Sequence, residues 1–427
     1  MTYEQALESI HSLLTFGSRP GLDRMRRFLK ELGDPQDKLK YIHVAGTNGK
    51  GSVCALLSSV LVAAGYKTGL FISPYITDFR ERIQINNRMV DREVLTGAVE
   101  RTLPVLKRLN EQGVVITEFE YVNALQFLIH AEAECDIVVL ETGMGGLLDC
   151  TNVIEPPLCA VLTTIWLDHT AVLGDTVAAI AAQKCGIIKE NSAVVTSAQC
   201  DEAMQVIEQT ARIKHVPLLT AENVSVTVQE ETLSGTVMTW NGTQLRLRLA
   251  GAHQIENAKT ALAALDYLRL NDLLDFTDTD VQNGFLAAVN PARLELLSQD
   301  PVVLLDGAHN PNGMEALTAA VKRFLPDTPV YCVIGMMADK DIDSALSLMQ
   351  GIPEAVFTAP VDNPRAIAPE ALAEKIKPVC SNVTACGSAT EAFDKALALA
   401  IANNGAALVC GSLYLAGELR PYMLSCC

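Results

Sequence analysis

The chain has 427 residues, 49% of them hydrophobic and 19% charged. That is enough apolar material for two or three domains, and it excludes disorder as the overall state. Lys and Arg number 33 against 50 Asp and Glu, a net charge of -17; such a surface repels a phosphate backbone and excludes a general nucleic-acid binder, while leaving room for a local basic pocket that holds a small anion.

The amino terminus, MTYEQALESIHSLL, carries two glutamates and no unbroken apolar core, unlike a secretory leader. No later run is long enough to cross a bilayer, so a soluble, cytoplasmic protein without a membrane partner is expected. The twelve cysteines form no CxxC pair, and several sit in apolar runs, as reduced, buried thiols do. Strands are predicted at Tyr41–Ala45, Lys67–Ile72, Asp136–Leu140, Cys159–Thr164 and Ala193–Thr196, with helical periodicity over Ser52–Ala64 and Tyr121–Ala133 between them. The alternation implies an α/β fold, a doubly wound parallel sheet with helices on both faces. From Val224 to Leu249 the pattern changes to alternation, with Asn241-Gly242 as a hairpin signal, which reads as a small antiparallel ribbon. A helix from Gln254 to Leu270 follows. Strands near Val302–Leu305, Val330–Ile334, Ala355–Thr358 and Ala407–Cys410 then alternate with helices, a second, Rossmann-like α/β domain. The boundary is expected near residue 295, giving domains at 1–295 and 296–427.

The segment Tyr41-Ile-His-Val-Ala-Gly-Thr-Asn-Gly-Lys-Gly-Ser52 passes from an apolar strand through a glycine-rich turn into an apolar helix. Glycines let backbone N–H groups converge on oxygen, the helix N-terminus adds positive potential and Lys50 adds a mobile charge, so the segment reads as a phosphate loop in the P-loop manner, the alternative being a plain strand-to-helix turn. Gly51 between Lys50 and Ser52 departs from the usual Walker spacing.

Three further segments follow strands, where ligands collect in open α/β sheets. They are Ser73-Pro74, Glu141 with Thr-Gly-Met-Gly-Gly after it, and Asp168-His169. A hydroxyl, a carboxylate and an imidazole converging there suit a divalent cation beside the phosphates. Each also has a local alternative: a turn residue, a helix cap and a hydrogen-bonded loop histidine. Lys184 lies in an apolar helical neighbourhood, IAAQKCGII, where desolvation makes the neutral amine accessible; the alternative is a lysine that snorkels to the surface. In the second half, VLLDGAHNP places Asp306 and His309 directly after a strand, suited to a ribose, a cation or a phosphate, or to a turn and cap.

Taken together, these segments resemble the folylpolyglutamate synthase and dihydrofolate synthase family of ATP-dependent Mur-type amide ligases. The likeness runs through PGLDR (20–24), HVAGTNGKGS (43–52), SPYITDFRERI (73–83), TEFE (117–120), ETGMGGLLDCTNVI (141–154), LDHTAVLG (167–174), KCGIIK (184–189), HQIEN (253–257), DGAHNP (306–311) and GSLYLAGE (411–418). GTNGKGS indicates a Mur-type ligase; SPYITDFRERI, TEFE and DGAHNP narrow it to the folate branch.

The resemblance implies that Thr47, Asn48, Gly49, Lys50 and Gly51 bind the ATP phosphates, with Ser52 close to the metal, and that Ser73, Glu141 and His169 ligate magnesium. It further implies a carbamate on Lys184 that supports a second magnesium ion, Asn257 at the adenine, Arg293 at the phosphates, Asp306 at the nucleotide, and His309 at the acyl phosphate or glutamate. Ser412 would contact glutamate. Thr117, Phe119, Glu120 and Leu148 match the pterin region, over which the Phe16–Pro20 loop would close. The implied reaction joins L-glutamate to a reduced folate, and to dihydropteroate, through an acyl phosphate made with ATP. One domain would hold ATP and the other deliver glutamate, with closure excluding water; the implied assembly is a monomer.

The chain departs from the family pattern at Leu147, where arginine is usual, at Asn290-Pro291-Ala292-Arg293 in place of Trp-Pro-Gly-Arg, and at Tyr75 in place of histidine. The competing readings are a ligase of cell-wall nucleotide precursors, which would lack the TEFE segment, and a nucleotide-binding regulator without turnover. A Rossmann dehydrogenase is disfavoured because Gly143-Met-Gly145-Gly146 is not G-x-G-x-x-G.

Overall fold

Eight strands form the first sheet in a computed structural model that describes residues 1–16 and 21–426. They are β1 (Tyr41–Ala45), β2 (Thr68–Phe71), β3 (Ile83–Ile85), β4 (Arg88–Met89), β5 (Ile137–Glu141), β6 (Cys159–Leu162), β7 (Val194–Thr196) and β8 (Leu218–Thr220), ordered β4-β3-β2-β5-β1-β6-β7-β8. The five strands predicted for this half are all present. β1 and β5 are buried at every position, because layers cover both faces, and this is why their sequences read as continuous apolar runs.

The expectation of a parallel sheet needs correcting at one edge. β3 pairs antiparallel with both β2 and β4. Asn86 and Asn87 turn the chain between β3 and β4 with φ of 52° and 57°, a left-handed pair that asparagine tolerates in a two-residue hairpin. Residues 17–20 of the Phe16–Pro20 loop lie outside the described residues, and with them the expectation that this loop closes over a pterin.

The chain separates into two compact units. The first comprises residues 1–74, 80–226 and 256–288; the second comprises 75–79, 227–255 and 289–427. The ribbon, β9 (Val226–Thr232), β10 (Gly235–Trp240) and β11 (Thr243–Leu247), precedes residue 295 in sequence but groups with the second unit. Arg323 pairs with Glu231 at 2.7 Å, and Leu233 packs on one of the second unit's apolar clusters. Asn241-Gly242 makes the β10–β11 turn with both residues at positive φ, as the hairpin signal required.

The second unit's sheet contains β12 (Glu295–Gln299), β13 (Val302–Leu305), β14 (Val330–Ile334), β15 (Pro353–Thr358), β16 (Val383–Ala385) and β17 (Ala406–Cys410), ordered β12-β13-β17-β14-β15-β16. Every pairing is parallel except β12 with β13. Alternate residues feed opposite cores: Leu304, Cys332, Ile334, Leu408 and Cys410 face one, and Val303, Leu305, Tyr331, Val333 and Val409 the other. This is the period-2 geometry of a strand covered on both sides.

No disulfide joins the cysteines among the described residues, and all but Cys200 and Cys426 are buried. Among the described residues no helix is long and apolar enough to cross a membrane.

The helix that follows the glycine-rich loop, Lys50–Ala63, packs tightly in the first unit. Beside it lies the helix Asp278–Ala287, where a Cβ on Gly284 would stand 2.5 Å from Val60 Cα. Helix propensity favours alanine over glycine by about 1 kcal/mol, but overpacking against backbone costs about 1–3 kcal/mol. Gly284→Ala is therefore expected to lower the unfolding free energy in a urea titration, the reverse of what propensity alone implies.

Candidate active site

Parallel pairing of β2, β5, β1 and β6 brings their C-terminal ends to one edge of the sheet. β1 ends at Ala45 and the chain turns through Gly46–Gly49 into the helix at Lys50. Gly49 has φ of 89°, and a Cβ there would lie 2.3 Å from Asn257 Oδ1. Only glycine meets both demands, and the same contact brings Asn257 to the loop. Gly46 is equally confined: its Cβ would fall 1.8 Å from Thr163 Oγ1.

The loop is held by the segment after β6. The Thr47 and Asn48 N–H groups donate to the Thr164 carbonyl at 2.8 and 3.3 Å. Thr47 Oγ1 donates to Trp166 O at 2.9 Å and accepts from Trp166 N at 3.0 Å. Those two N–H groups thus brace the loop, and the helix end presents the donors. The first i→i−4 bond is Val53 N to Gly49 O, 3.0 Å, so the N–H groups at Lys50, Gly51 and Ser52 point along the axis at the positive end of the helix dipole.

Lys50 folds back over this loop. Its Nζ lies 3.2 Å from both Gly46 O and Thr47 O and 3.9 Å from Glu141 Oε1. Glu141, the last residue of β5, is buried and accepts from Ser73 N at 3.0 Å through Oε2. Lys184 closes the cluster from the end of the helix Val177–Lys184, donating to Gly46 O at 2.7 Å. It is only 4% exposed, which removes the surface alternative. Burial, and then the neighbouring Lys50 charge, pull its pKa down to about 7 against the partial opposition of Asp168 and Asp149.

His169 follows β6 at the same edge of the sheet. It is exposed, has φ of 52°, and precedes the short helix Thr170–Leu173. Among the described residues no three His, Cys, Asp or Glu side chains gather as a metal site. Ser73 and Glu141 do adjoin, and hydroxyl and carboxylate oxygens are the donors a hard cation takes.

Of the expected pterin residues, Leu148 lies in the loop after β5, while Thr117 caps the helix Glu118–Glu132 and Phe119 and Glu120 lie within it. Thr117 and Glu120 form its capping box: Thr117 N and Oγ1 donate to Glu120 Oε2 at 2.8 and 2.9 Å, and Glu120 N donates to Thr117 Oγ1 at 3.3 Å. Arg24 Nη2 meets Glu120 Oε1 at 2.9 Å, a partner that sequence reading missed because 96 positions separate the two. The Phe119 ring lies on Gly143, whose Cβ would come within 2.3 Å of it. Leu147 and Leu148 are each 46% exposed.

Asp149, also missed, anchors the loop after β5. It accepts from Met144 N (2.8 Å), Thr151 N (3.0 Å) and Thr151 Oγ1 (2.6 Å). Burial raises its pKa while these bonds lower it. Buried His43, whose pKa burial pushes down to about 3, meets Thr151 Oγ1 at 2.9 Å. A charged residue within an apolar loop was the only signal the sequence offered.

In the second unit, Asp306 is buried and accepts from Leu294 N (2.6 Å) and Ala308 N (2.7 Å). Burial raises its pKa, offset by Arg293 and those two bonds. Arg293 stands over Gly307, where a Cβ would be 2.7 Å from its Nη1. His309 Nδ1 lies 2.8 Å from Gly307 O, and buried Ser412 accepts from Tyr414 N at 3.1 Å. Arg293, Asp306 and His309 thus share one turn system.

Comparison with known proteins fits this arrangement. Residues 44–265 match the Mur ligase middle domain and residues 292–413 the Mur ligase glutamate ligase domain. A dihydrofolate synthase/folylpolyglutamate synthase of Bacillus subtilis is 38% identical over 373 residues, 85% of this chain and 86% of that protein. The chain belongs to the folylpolyglutamate synthase/dihydrofolate synthase family. Its backbone is similar to the crystal structure of Thermotoga maritima folylpolyglutamate synthase (TM-score 0.85, 34% identity, 100% of this chain and 97% of that one). It is also similar to E. coli FolC in complex with DHPP and ADP (TM-score 0.87, 29% identity, 100% and 98%).

The sign of the Lys184 shift makes a stability prediction. An unfolded chain keeps this lysine near its ordinary 10.5, whereas the folded amine titrates at about 7. The penalty of a buried ammonium is complete below pH 7 and is relieved as pH rises towards 10, since the unfolded state then holds the extra proton. In carbonate-free buffer, the melting temperature of Lys184→Met should exceed the parent's most at pH 6, and the gap should narrow by pH 9.

Proposed function

We propose that this protein ligates L-glutamate to a reduced folate, and to dihydropteroate, using ATP. The carrying observation is the meeting of Lys50 and Lys184 at the Gly46 carbonyl, with Glu141 beside Lys50 and the Ser73 N–H on Glu141, in a chain related over nearly its whole length to enzymes of that name. The same cluster weighs against a nucleotide-binding regulator, which has no need of a buried amine near neutral pKa.

A folate carboxylate and ATP are both anions, so the first step requires concentrated positive charge. Carboxylate oxygen attacks the γ-phosphorus, the bond to the β-phosphate oxygen breaks, and ADP leaves behind an acyl phosphate. Lys50 and the helix N-terminus at Lys50–Ser52 stabilise the charge that develops on the phosphoryl oxygens, and Thr47, Asn48, Gly49 and Gly51 shape the loop that holds them. Arg293 supplies a guanidinium to the phosphates. Asn257 faces the base, and Asp306 orients the nucleotide.

Ser73, Glu141 and His169 would hold magnesium, with a carbamate on Lys184 supporting a second ion; the metal, when bound, neutralises phosphate charge. A neutral Lys184 amine adds to carbon dioxide with loss of one proton, so an amine of pKa about 7 suits that modification far better than an ordinary lysine.

In the second step the glutamate amine attacks the acyl carbon, phosphate leaves, and the amine gives up a proton. His309 Nδ1–H donates to Gly307 O, which places the lone pair on Nε2, where it accepts that proton. Ser412 contacts the incoming glutamate. Thr117, Phe119, Glu120 and Leu148 border the pterin. The substrates are small and diffusible, which suits a cytoplasmic monomer without nucleic-acid or membrane partners.

Phosphate release should require ATP, glutamate and either dihydropteroate or tetrahydrofolate, offered separately. Lys50→Ala is expected to reduce turnover by about 10²-fold or more, the scale of losing one charge-stabilising group; full activity would refute the assignment. Lys184→Ala should be inactive and regain part of its rate with added formate or acetate, and carbonate-depleted parent enzyme should recover with bicarbonate faster at pH 8 than at pH 6.

A further inference from the structure

Arg293 lies between two residues in the left-handed region, Ala292 at φ of 55° and Leu294 at φ of 47°. Neither is glycine, so this backbone is unfavourable in itself and persists only because its surroundings hold it. The holding groups are specific. Ala292 N donates to Glu295 Oε2 at 3.0 Å and Ala292 O accepts from Gly307 N at 2.9 Å. Leu294 N is taken by Asp306.

Glu295 is itself held. Arg420 grips it as a two-pronged fork, Nε to Oε2 at 2.9 Å and Nη2 to Oε1 at 2.7 Å, with both side chains about one-fifth exposed at 22% and 21%. Such a planar pair fixes direction as well as distance. The carboxylate oxygen that receives the Ala292 N–H is therefore pinned from the far end of the chain, at a residue in the helix Leu413–Cys426.

We infer that Glu295 and Arg420 are positioning residues for nucleotide recognition: their ion pair locks the left-handed turn that presents the Arg293 guanidinium over Gly307. This rests on the reading of Arg293 as a phosphate ligand. The lock matters more here than with a glycine at 292, because alanine does not favour this conformation and leaves it if released.

The test measures KM for ATP, KM for the folate substrate, kcat and melting temperature in Glu295→Gln, Arg420→Gln, their double variant, and Arg293→Ala alone and combined with Arg420→Gln. Glu295→Gln keeps an oxygen for the Ala292 N–H and loses the charge. Each single change is expected to raise KM for ATP about tenfold, roughly the worth of one misplaced charged hydrogen bond. The double variant should also lie near tenfold, because partners in one pair are non-additive. KM for the folate should stay unchanged, and Arg420→Gln should add little once Arg293 is alanine. Arg420→Lys, which retains charge but not the fork, should show an intermediate KM with a melting temperature near the parent's.

The inference is overturned if the two single effects multiply, if Arg420→Gln costs as much without Arg293 as with it, or if melting temperature falls while KM for ATP stays put. An unchanged KM for ATP in Arg293→Ala would instead overturn the phosphate-ligand reading, and the inference with it.

Discussion

The Gly46 carbonyl is the point on which the first unit's chemistry turns. Lys184 donates to it at 2.7 Å and Lys50 Nζ stands 3.2 Å away, so two cationic side chains meet at one backbone oxygen. Like charges at this range repel, and burial of Lys184 adds to the cost. The arrangement is sustained by Glu141 near Lys50 and by Asp168 and Asp149 acting on Lys184. What results is a pair of amines at one carbonyl, of which burial lets Lys184 lose its charge close to neutral pH.

That arrangement sets strict limits on the surrounding backbone. Gly46 and Gly49 have no room for a side chain. The loop after β5 must also approach the end of the Lys184 helix closely: Leu147 N donates to Gln183 O at 2.7 Å, and a Cβ on Gly146 would lie 2.7 Å from Lys184 O. Asp149 holds that loop through its bonds to Met144 and Thr151. The glycines of GMGG therefore serve helix-to-loop packing, and the leucine at 147 leaves its backbone contact intact while exposing an apolar side chain where the family usually has a cation.

The second unit solves a related problem differently. Its turn at Ala292–Leu294 contains non-glycine residues in left-handed conformations, and the carboxylates of buried Asp306 and partly exposed Glu295 compensate. Asp306 satisfies two backbone donors and Glu295 a third. Each such residue carries an intrinsic cost of about 1–2 kcal/mol, comparable to the stabilisation of about 1.5–3 kcal/mol from a hydrogen bond to a charged group. The carboxylates thus bring the strained turn close to balance.

Local physics made the strands, the phosphate loop and the hairpin at Asn241-Gly242 legible in the sequence. Continuous apolar runs can be buried on both faces only in an α/β core, and glycine between a strand and a helix carries its conformation in its chemistry. The ordered motifs made the family legible too. Tertiary structure alone decided which distant residues meet. Nothing local distinguishes Lys184 from a surface lysine until the helix it ends packs against Gly46, nor pairs Arg24 with Glu120 or Arg420 with Glu295 across 96 and 125 positions. The antiparallel edge of the first sheet escaped because Asn86-Asn87 is a weaker hairpin signal than Asn-Gly. Thr117 and Glu120 proved to be a capping box as well as part of the expected pterin region. Sequence determines which groups are available and which backbone shapes are cheap; distance, burial and the resulting loss of charge at Lys184 exist only once the chain has folded.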